Sequence, residues 1–162
     1  MSSRSLTLAV AALLGVMAGT AQAQNAKLTW GPAPPFLPAG AQFALVSGDP
    51  GKAGPYALQL SMPNGYTIPP HWHPTDEHVT VVSGHFHYGM GDRIDGKTMK
   101  SLDKGQSVNL KATMHHYARA QGPTVVTVSG NGPFAITYVK ETDDPRHDAK
   151  HKAKEKDKSK AP

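Results

Sequence analysis

Between residues 42 and 139 the chain is cut into short apolar runs by turn-forming groups: Asp49-Pro50-Gly51, Asn64-Gly65, Asp95-Gly96, Asp103-Lys104-Gly105 and Asn131-Gly132. Asparagine or aspartate followed by glycine supplies the positive φ that tight turns need, so each group marks a chain reversal. The runs between them are 42–46, 56–62, 77–82, 86–90, 107–110, 116–118, 124–129 and 134–139. They have strand length, and none repeats its apolar residues at helical spacing. The expected fold is therefore all-β, a sandwich or barrel of short strands. With 162 residues, 38% of them hydrophobic, one domain with one core leaves no room for a second.

One stretch of this β region carries chemistry. Residues 65–84 read GYTIPPHWHPTDEHVTVVSG. His71 and His73 are two apart, and alternate residues of an extended strand share a face, so both imidazoles can point to one place. Glu77 has the same parity. Pro74, Thr75 and Asp76 interrupt the strand, and a turn there would bring the carboxylate round toward the imidazoles. One metal ion could collect all three.

The two ends of the chain differ from its middle. Arg4 precedes an apolar run over 6–18 and then Ala21-Gln22-Ala23, the arrangement of a cleaved export signal covering residues 1–23. That run is shorter than the roughly 20 apolar residues that span a bilayer. A mature chain beginning near Gln24 and acting in the periplasm or outside the cell is expected. Residues 24–41 form a proline-rich segment, with four prolines between 31 and 41, and should run as an extended arm pinned by Trp30 and Phe36. Residues 42–140 form the folded domain. Residues 141–162 are rich in lysine and poor in apolar side chains, which predicts a disordered tail able to touch anionic envelope surfaces. His147 and His151 lie in that tail and receive no site role.

Charge and cysteine content exclude several functions. The formal charge is +5, but residues 24–145 hold nine basic and nine acidic side chains, and residues 146–162 hold seven basic and three acidic. A near-neutral folded part argues against nucleic acid as a partner, since phosphate binding needs a basic face on the fold itself. No cysteine is present, so disulfides and thiolate metal sites are excluded.

Written as intervals, the opening motif is Gly65, five residues, His71, one, His73, three, Glu77, six, Gly84. This reproduces the first motif of the cupin superfamily without a departure, and the chain resembles that superfamily of small jelly-roll barrels over about residues 42–140. The second motif is matched in part. Gly105 and His116 occupy its glycine and histidine positions, whereas Lys111, Thr113 and Ala120 stand where proline, glycine and asparagine are usual. His115 is the rival of His116, because strand neighbours face opposite ways and only one can look inward. Spacing selects His116.

The resemblance implies that His71, His73, Glu77 and His116 bind one divalent metal inside the barrel. Three imidazoles and a carboxylate suit manganese, iron, nickel, copper or zinc rather than calcium or magnesium, with manganese or iron favoured here. Four protein ligands in an octahedral field leave two positions for small molecules. The resemblance further implies a metal-dependent enzyme, oxygenase-like or a related isomerase or decarboxylase, acting on a small anionic or enolic molecule, with Glu77 also available as a general base. A non-catalytic module that captures metal or a small ligand is the alternative.

The remaining histidines are read as outside the site. His85 and His87 lack a third ligand at useful spacing, and His78 should face away from whatever Glu77 faces. Trp72, Met62, Met90, Met114, Tyr88, Tyr117, Phe134 and Tyr138 are read as core, some of them lining the cavity. Open sheet edges and the arm predict pairing with a second copy as a homodimer.

Overall fold

A computed structural model of the chain describes residues 27–147. The expected export signal and the lysine-rich residues beyond 147 lie outside the described residues. The described chain forms nine strands: β1 (Gly31–Pro32), β2 (Gln42–Ser47), β3 (Gly54–Met62), β4 (Thr67–Trp72), β5 (Glu77–Met90), β6 (Lys100–Leu102), β7 (Ser107–Leu110), β8 (His116–Gly132) and β9 (Thr137–Tyr138). One short 3-10 turn, Glu141–Asp143, follows.

Every pairing is antiparallel, and β8 organises them. One edge of β8 pairs with β4 near its start and with β3 over its second half, while β5 runs along the other edge. β5 in turn carries β6 and β7, and β2 and β1 extend the sheet beyond β3. A strand shared so widely makes the sheet curl onto itself, the jelly-roll arrangement expected for an all-β chain of this kind.

Four expected runs fuse into two strands. Residues 77–82 and 86–90 are one strand, β5, and residues 116–118 and 124–129 are one strand, β8. Gly84 explains the first fusion. It has φ +79°, and a Cβ there would stand 2.4 Å from the carbonyl oxygen of Pro123. The ladder shifts register on either side of Ser83, so glycine marks a bulge that bends β5 without ending it. β4 was not among the expected runs because TIPPHW contains two prolines, and a register shift between Ile68 and His71 accommodates them. β6 was missed as well, being three residues long and mostly polar. The run over 134–139 narrows to Thr137 and Tyr138.

Alternation builds the core. Tyr56, Leu58, Leu60 and Met62 of β3 are buried, and they meet Val79 and Val81 of β5 and Val126 and Val128 of β8 in one apolar cluster. Each such side chain contributes about 2 kcal/mol by leaving water. Met90 and Met114 do not join it, being 43% and 50% exposed at the end of β5 and in the turn before β8.

The proline-rich arm folds back on its own barrel. Ala33 N–H donates to the Ala41 carbonyl at 3.0 Å, and the hydroxyls of Tyr138 and Tyr66 donate to the carbonyls of Phe36 and Pro38 at 2.8 and 2.5 Å. Phe36 packs against Phe134 with ring centroids 6.0 Å apart, whereas Trp30 is 38% exposed and pins nothing to the core. At the other end, residues 141–147 of the expected tail belong to the fold. The Arg146 guanidinium grips both carboxylate oxygens of Asp144 at 2.7 Å and reaches the Ile136 carbonyl at 3.3 Å.

Candidate metal centre

Three separate pieces of chain supply the site. His71 is the penultimate residue of β4, the turn after the strand carries His73, and Glu77 opens β5. His116 opens β8 directly opposite His71 in the β4–β8 ladder. The turn that leads into His116 is tied to the turn that carries His73. Thr113 N–H donates to the His73 carbonyl at 2.8 Å, and the Asp76 carboxylate accepts from Ala112 N–H at 2.8 Å and Lys111 Nζ at 2.7 Å. Thr113 stands where the motif usually has glycine and has φ +63°, so the backbone conformation survives the change of residue.

All four side chains are buried, from His116 at 2% exposed to Glu77 at 8%. Each imidazole is oriented by its own carbonyl: His71 Nδ1 to Pro69 O at 2.7 Å, His73 Nδ1 to Ala135 O at 2.8 Å and His116 Nδ1 to Met114 O at 2.9 Å. A carbonyl oxygen only accepts, so every Nδ1 carries the proton and every neutral ring presents Nε2 as a bare lone pair. Nε2 of His73 and Nε2 of His116 are buried with no hydrogen-bond partner. One ligand nitrogen from each of the three rings lies within 4.8 Å of the others, the only such group among the described residues. Glu77 Oε2 stands 3.6 Å from Nε2 of both His73 and His116, too long for a hydrogen bond.

The protonation states follow from this packing. Burial brings the His71 pKa down to about 3, helped by the neighbouring His116 and His73 rings. Burial also lowers His73, and the opposing pull of Glu77 does not reverse it. For Glu77 burial acts upward, but the imidazoles, His116 foremost, outweigh it and bring the carboxyl to about 2. Near neutral pH the centre therefore joins a carboxylate to the neutral rings of His71 and His73, with Nε2 of His116 buried beside them. Without a cation those electron-rich atoms repel, and the donor set fits a divalent transition metal.

A cavity of about 210 Å³ opens beside these atoms. Its walls are the inward side chains of β3, β5 and β8, closed over by Pro34, Phe36 and Leu37 of the arm and by Phe134. Phe134 also lies against the His73 ring, with centroids 4.6 Å apart. The parts played by Phe36, Leu37 and Phe134 as cavity wall could not be read from periodicity, because they come from irregular segments with no alternation. The only local sign was an aromatic residue within a proline-rich arm.

The other histidines sit apart. His115 Nδ1 meets Asp92 Oδ1 at 2.5 Å with its side chain 38% exposed, on the opposite side of the chain from His116. His85 meets Asp103 at 2.7 Å in solvent, His87 faces Ser101 at 3.4 Å, and His78 bonds Asn109 at 2.9 Å. None contributes to the centre.

No curated protein matches this chain in sequence. Among solved structures, a cupin 2 conserved barrel domain protein from Rhodopseudomonas palustris is similar over 69% of this chain and 77% of its own, at 17% identity and a TM-score of 0.55. The DMSP lyase DddQ from Ruegeria pomeroyi DSS-3 is similar over 59% of this chain and 50% of its own, at 22% identity and a TM-score of 0.50. Both likenesses concern the fold. The Cupin domain family matches residues 57–130, a span that takes in β4, β5, most of β8 and all four buried side chains of the centre. Motif spacing, jelly-roll pairing and this match agree: residues 57–130 form a cupin domain.

Proposed function

We propose that His71, His73, Glu77 and His116 hold one divalent transition metal, manganese or iron before nickel, copper or zinc. The protein would be a metal-dependent enzyme, oxygenase-like or a related isomerase or decarboxylase, acting on a small enolic or anionic molecule. One observation carries the reading: Nε2 of His73 and Nε2 of His116 are buried without hydrogen-bond partners 3.6 Å from the Glu77 carboxylate, and a ring nitrogen of His71 lies within 4.8 Å of theirs. A metal held there would supply Lewis-acid polarisation of a substrate oxygen and, if it is manganese or iron, redox chemistry.

The rest of the work falls to the chain. Carbonyls of Pro69, Ala135 and Met114 hold the three rings in the ligating tautomer. The apolar walls exclude water, which strengthens electrostatic interactions inside. Glu77, held ionised down to about pH 2, is a ligand first and a weak base second. A proton it accepts would have to be an acidic one, as on an enol or a phenol. The apolar cavity beside the centre favours this reading over a capture module with a bare site.

Metal analysis of protein purified from its native compartment, followed by oxygen uptake with enolic, phenolic and keto-acid compounds, tests the proposal. Purified protein that neither carries nor takes up a transition metal would reject it. Export belongs to the same proposal, and detection of an unprocessed chain confined to the cytoplasm would remove that part. Pairing with a second copy is proposed through β2, because β1 covers only Gln42 and Phe43 of its edge and leaves Leu45 and Val46 exposed. A strict monomer in sedimentation at high concentration would rule it out. Among the described residues no helix is long and apolar enough to cross a membrane.

A further inference from the structure

The turn between β7 and β8 has little to hold it by burial. Leu110 before it and His116 after it are buried, but Lys111, Thr113 and Met114 are exposed and Ala112 is only partly covered. Lys111 and Thr113 give the turn neither the fixed φ of proline nor the freedom of glycine. Its position matters to the centre all the same. The Met114 carbonyl accepts from Nδ1 of His116 at 2.9 Å and so sets both the rotation and the tautomer of that ring.

Hydrogen bonds from the other half of the site fix the turn instead. Thr113 N–H donates to the His73 carbonyl at 2.8 Å, Ala112 N–H to Asp76 Oδ1 at 2.8 Å and Lys111 Nζ to Asp76 Oδ2 at 2.7 Å. Two of these three end on one carboxylate. Asp76 is itself firmly placed: it directly precedes Glu77, and a Cβ at Gly130 of β8 would stand 2.9 Å from its carbonyl oxygen. Of its two bonds, the one from Ala112 N–H carries the positioning. A carboxylate on a backbone donor makes a short, directed contact. The ion pair with Lys111 joins side chains 64% and 51% exposed, where water screens most of its worth.

We infer that Asp76 is a positioning residue of the centre: through Ala112 N–H it holds the 111–114 turn, and through the Met114 carbonyl that turn holds the His116 ring with Nε2 inward. The consequence for metal binding rests on the metal reading above, whereas the consequence for the ring does not. His71 and His73 take their orientation from the Pro69 and Ala135 carbonyls, outside this turn, so loss of Asp76 should disturb one ring of the three.

The test uses the full chain, freed of metal with a chelator. Long-range proton–nitrogen correlation spectra, recorded at one fixed pH above the ordinary histidine range, tell a protonated ring nitrogen from a bare one. In the wild type His71, His73 and His116 should each carry the proton on Nδ1. Asp76→Ala should leave His71 and His73 in that form and give His116 a mixture of tautomers. Cobalt(II) affinity, read by competition with a chromogenic chelator, should fall about 10- to 100-fold in Asp76→Ala, the usual effect of removing a group that orients a ligand. Lys111→Met, which removes the ion pair and leaves the bond from Ala112, should keep the His116 tautomer and stay within about 3-fold in cobalt affinity. Should Asp76→Ala not fold, Asp76→Glu takes its place: the longer side chain keeps the charge but moves its oxygens off Ala112 N–H, and the same selective change at His116 is expected.

An unchanged His116 tautomer in the folded variant would overturn the inference. Equal disturbance of all three rings would overturn it too, since that is a general loosening of the fold. Lys111→Met as damaging as Asp76→Ala would place the effect in the ion pair and remove the role given to Ala112 N–H. A wild type that takes up no cobalt would reject the metal reading alone, and the His116 spectrum of the metal-free protein then decides the inference.

Discussion

His71 and His116 are direct partners across the β4–β8 ladder, with ring centroids 4.3 Å apart, and each Nδ1 is bonded to the carbonyl two residues before it in the chain. Two strands thus present matching rings by the same local device. His115, one position away, points to Asp92 at the surface. His116→Ala should weaken metal binding at least about 100-fold, more than loss of an orienting group would. His115→Ala should leave it near normal. Competition with a chromogenic chelator measures both, and the reverse order would mean that His115 is the ligand.

The metal-free protein should lose stability as the solution is acidified. In the unfolded chain histidine takes a proton near 6.5, but burial holds His71 to about 3 and lowers His73 also. Glu77 falls from an ordinary 4.5 to about 2, because the imidazoles outweigh the upward push of burial. In both cases the unfolded state binds protons first, so stability is full above about pH 6.5 and is lost progressively toward pH 2. Melting temperatures taken at unit steps between about pH 8 and 3 check this. A flat or rising trend between about pH 7 and 5 would contradict it.

Thr113 holds φ +63° without being glycine, a conformation that crowds a β-branched side chain against the backbone. Its hydroxyl is bonded only to the adjacent Ala112 carbonyl, at 2.7 Å. Thr113→Gly should raise stability by about 1 kcal/mol, the approximate cost of the left-handed region for an L-residue. Urea unfolding gives the value, and destabilisation by a similar amount would show that the hydroxyl contributes more than the strain removes.

Gly130 sits between two neighbours in the sheet, Tyr56 on β3 and Glu77 on β5. A Cβ there would lie 2.9 Å from the Asp76 carbonyl oxygen and 3.1 Å from the Tyr56 hydroxyl. Gly130→Ala should cost about 1–3 kcal/mol, since the backbone before Glu77 must move. Removing the hydroxyl, which is buried without a partner, should recover part of that loss in the double variant with Tyr56→Phe. Chemical unfolding of the three variants measures the coupling, and purely additive effects would show that Tyr56 and Gly130 do not meet.

Reading the strands from the sequence succeeded wherever a local rule was enough. Turn dipeptides and alternation located β2, β3 and β7 nearly to the residue, and equal parity put His71 and His73 on one side. It failed at β4, where Pro69 and Pro70 argue against a strand that is nevertheless formed through a register shift. It also failed at Gly84, where the breaker is a bend inside a continuing strand. Met90 and Met114, apolar and expected inside, are at the surface because they lie where the strand ends and the turn begins.

By itself the amino-acid sequence determined the all-β class, the near-neutral domain, the absence of thiolate chemistry and the identity of four candidate ligands, because turns, parity and motif spacing act over a few residues. Only the tertiary structure decided that these side chains meet with Nε2 atoms facing inward, that the arm closes over its own barrel, and that the cavity has no charged wall beyond Glu77. Those facts depend on which strands pair and in what register, and pairing between β4 and β8 is settled by the whole sheet closing around one apolar interior.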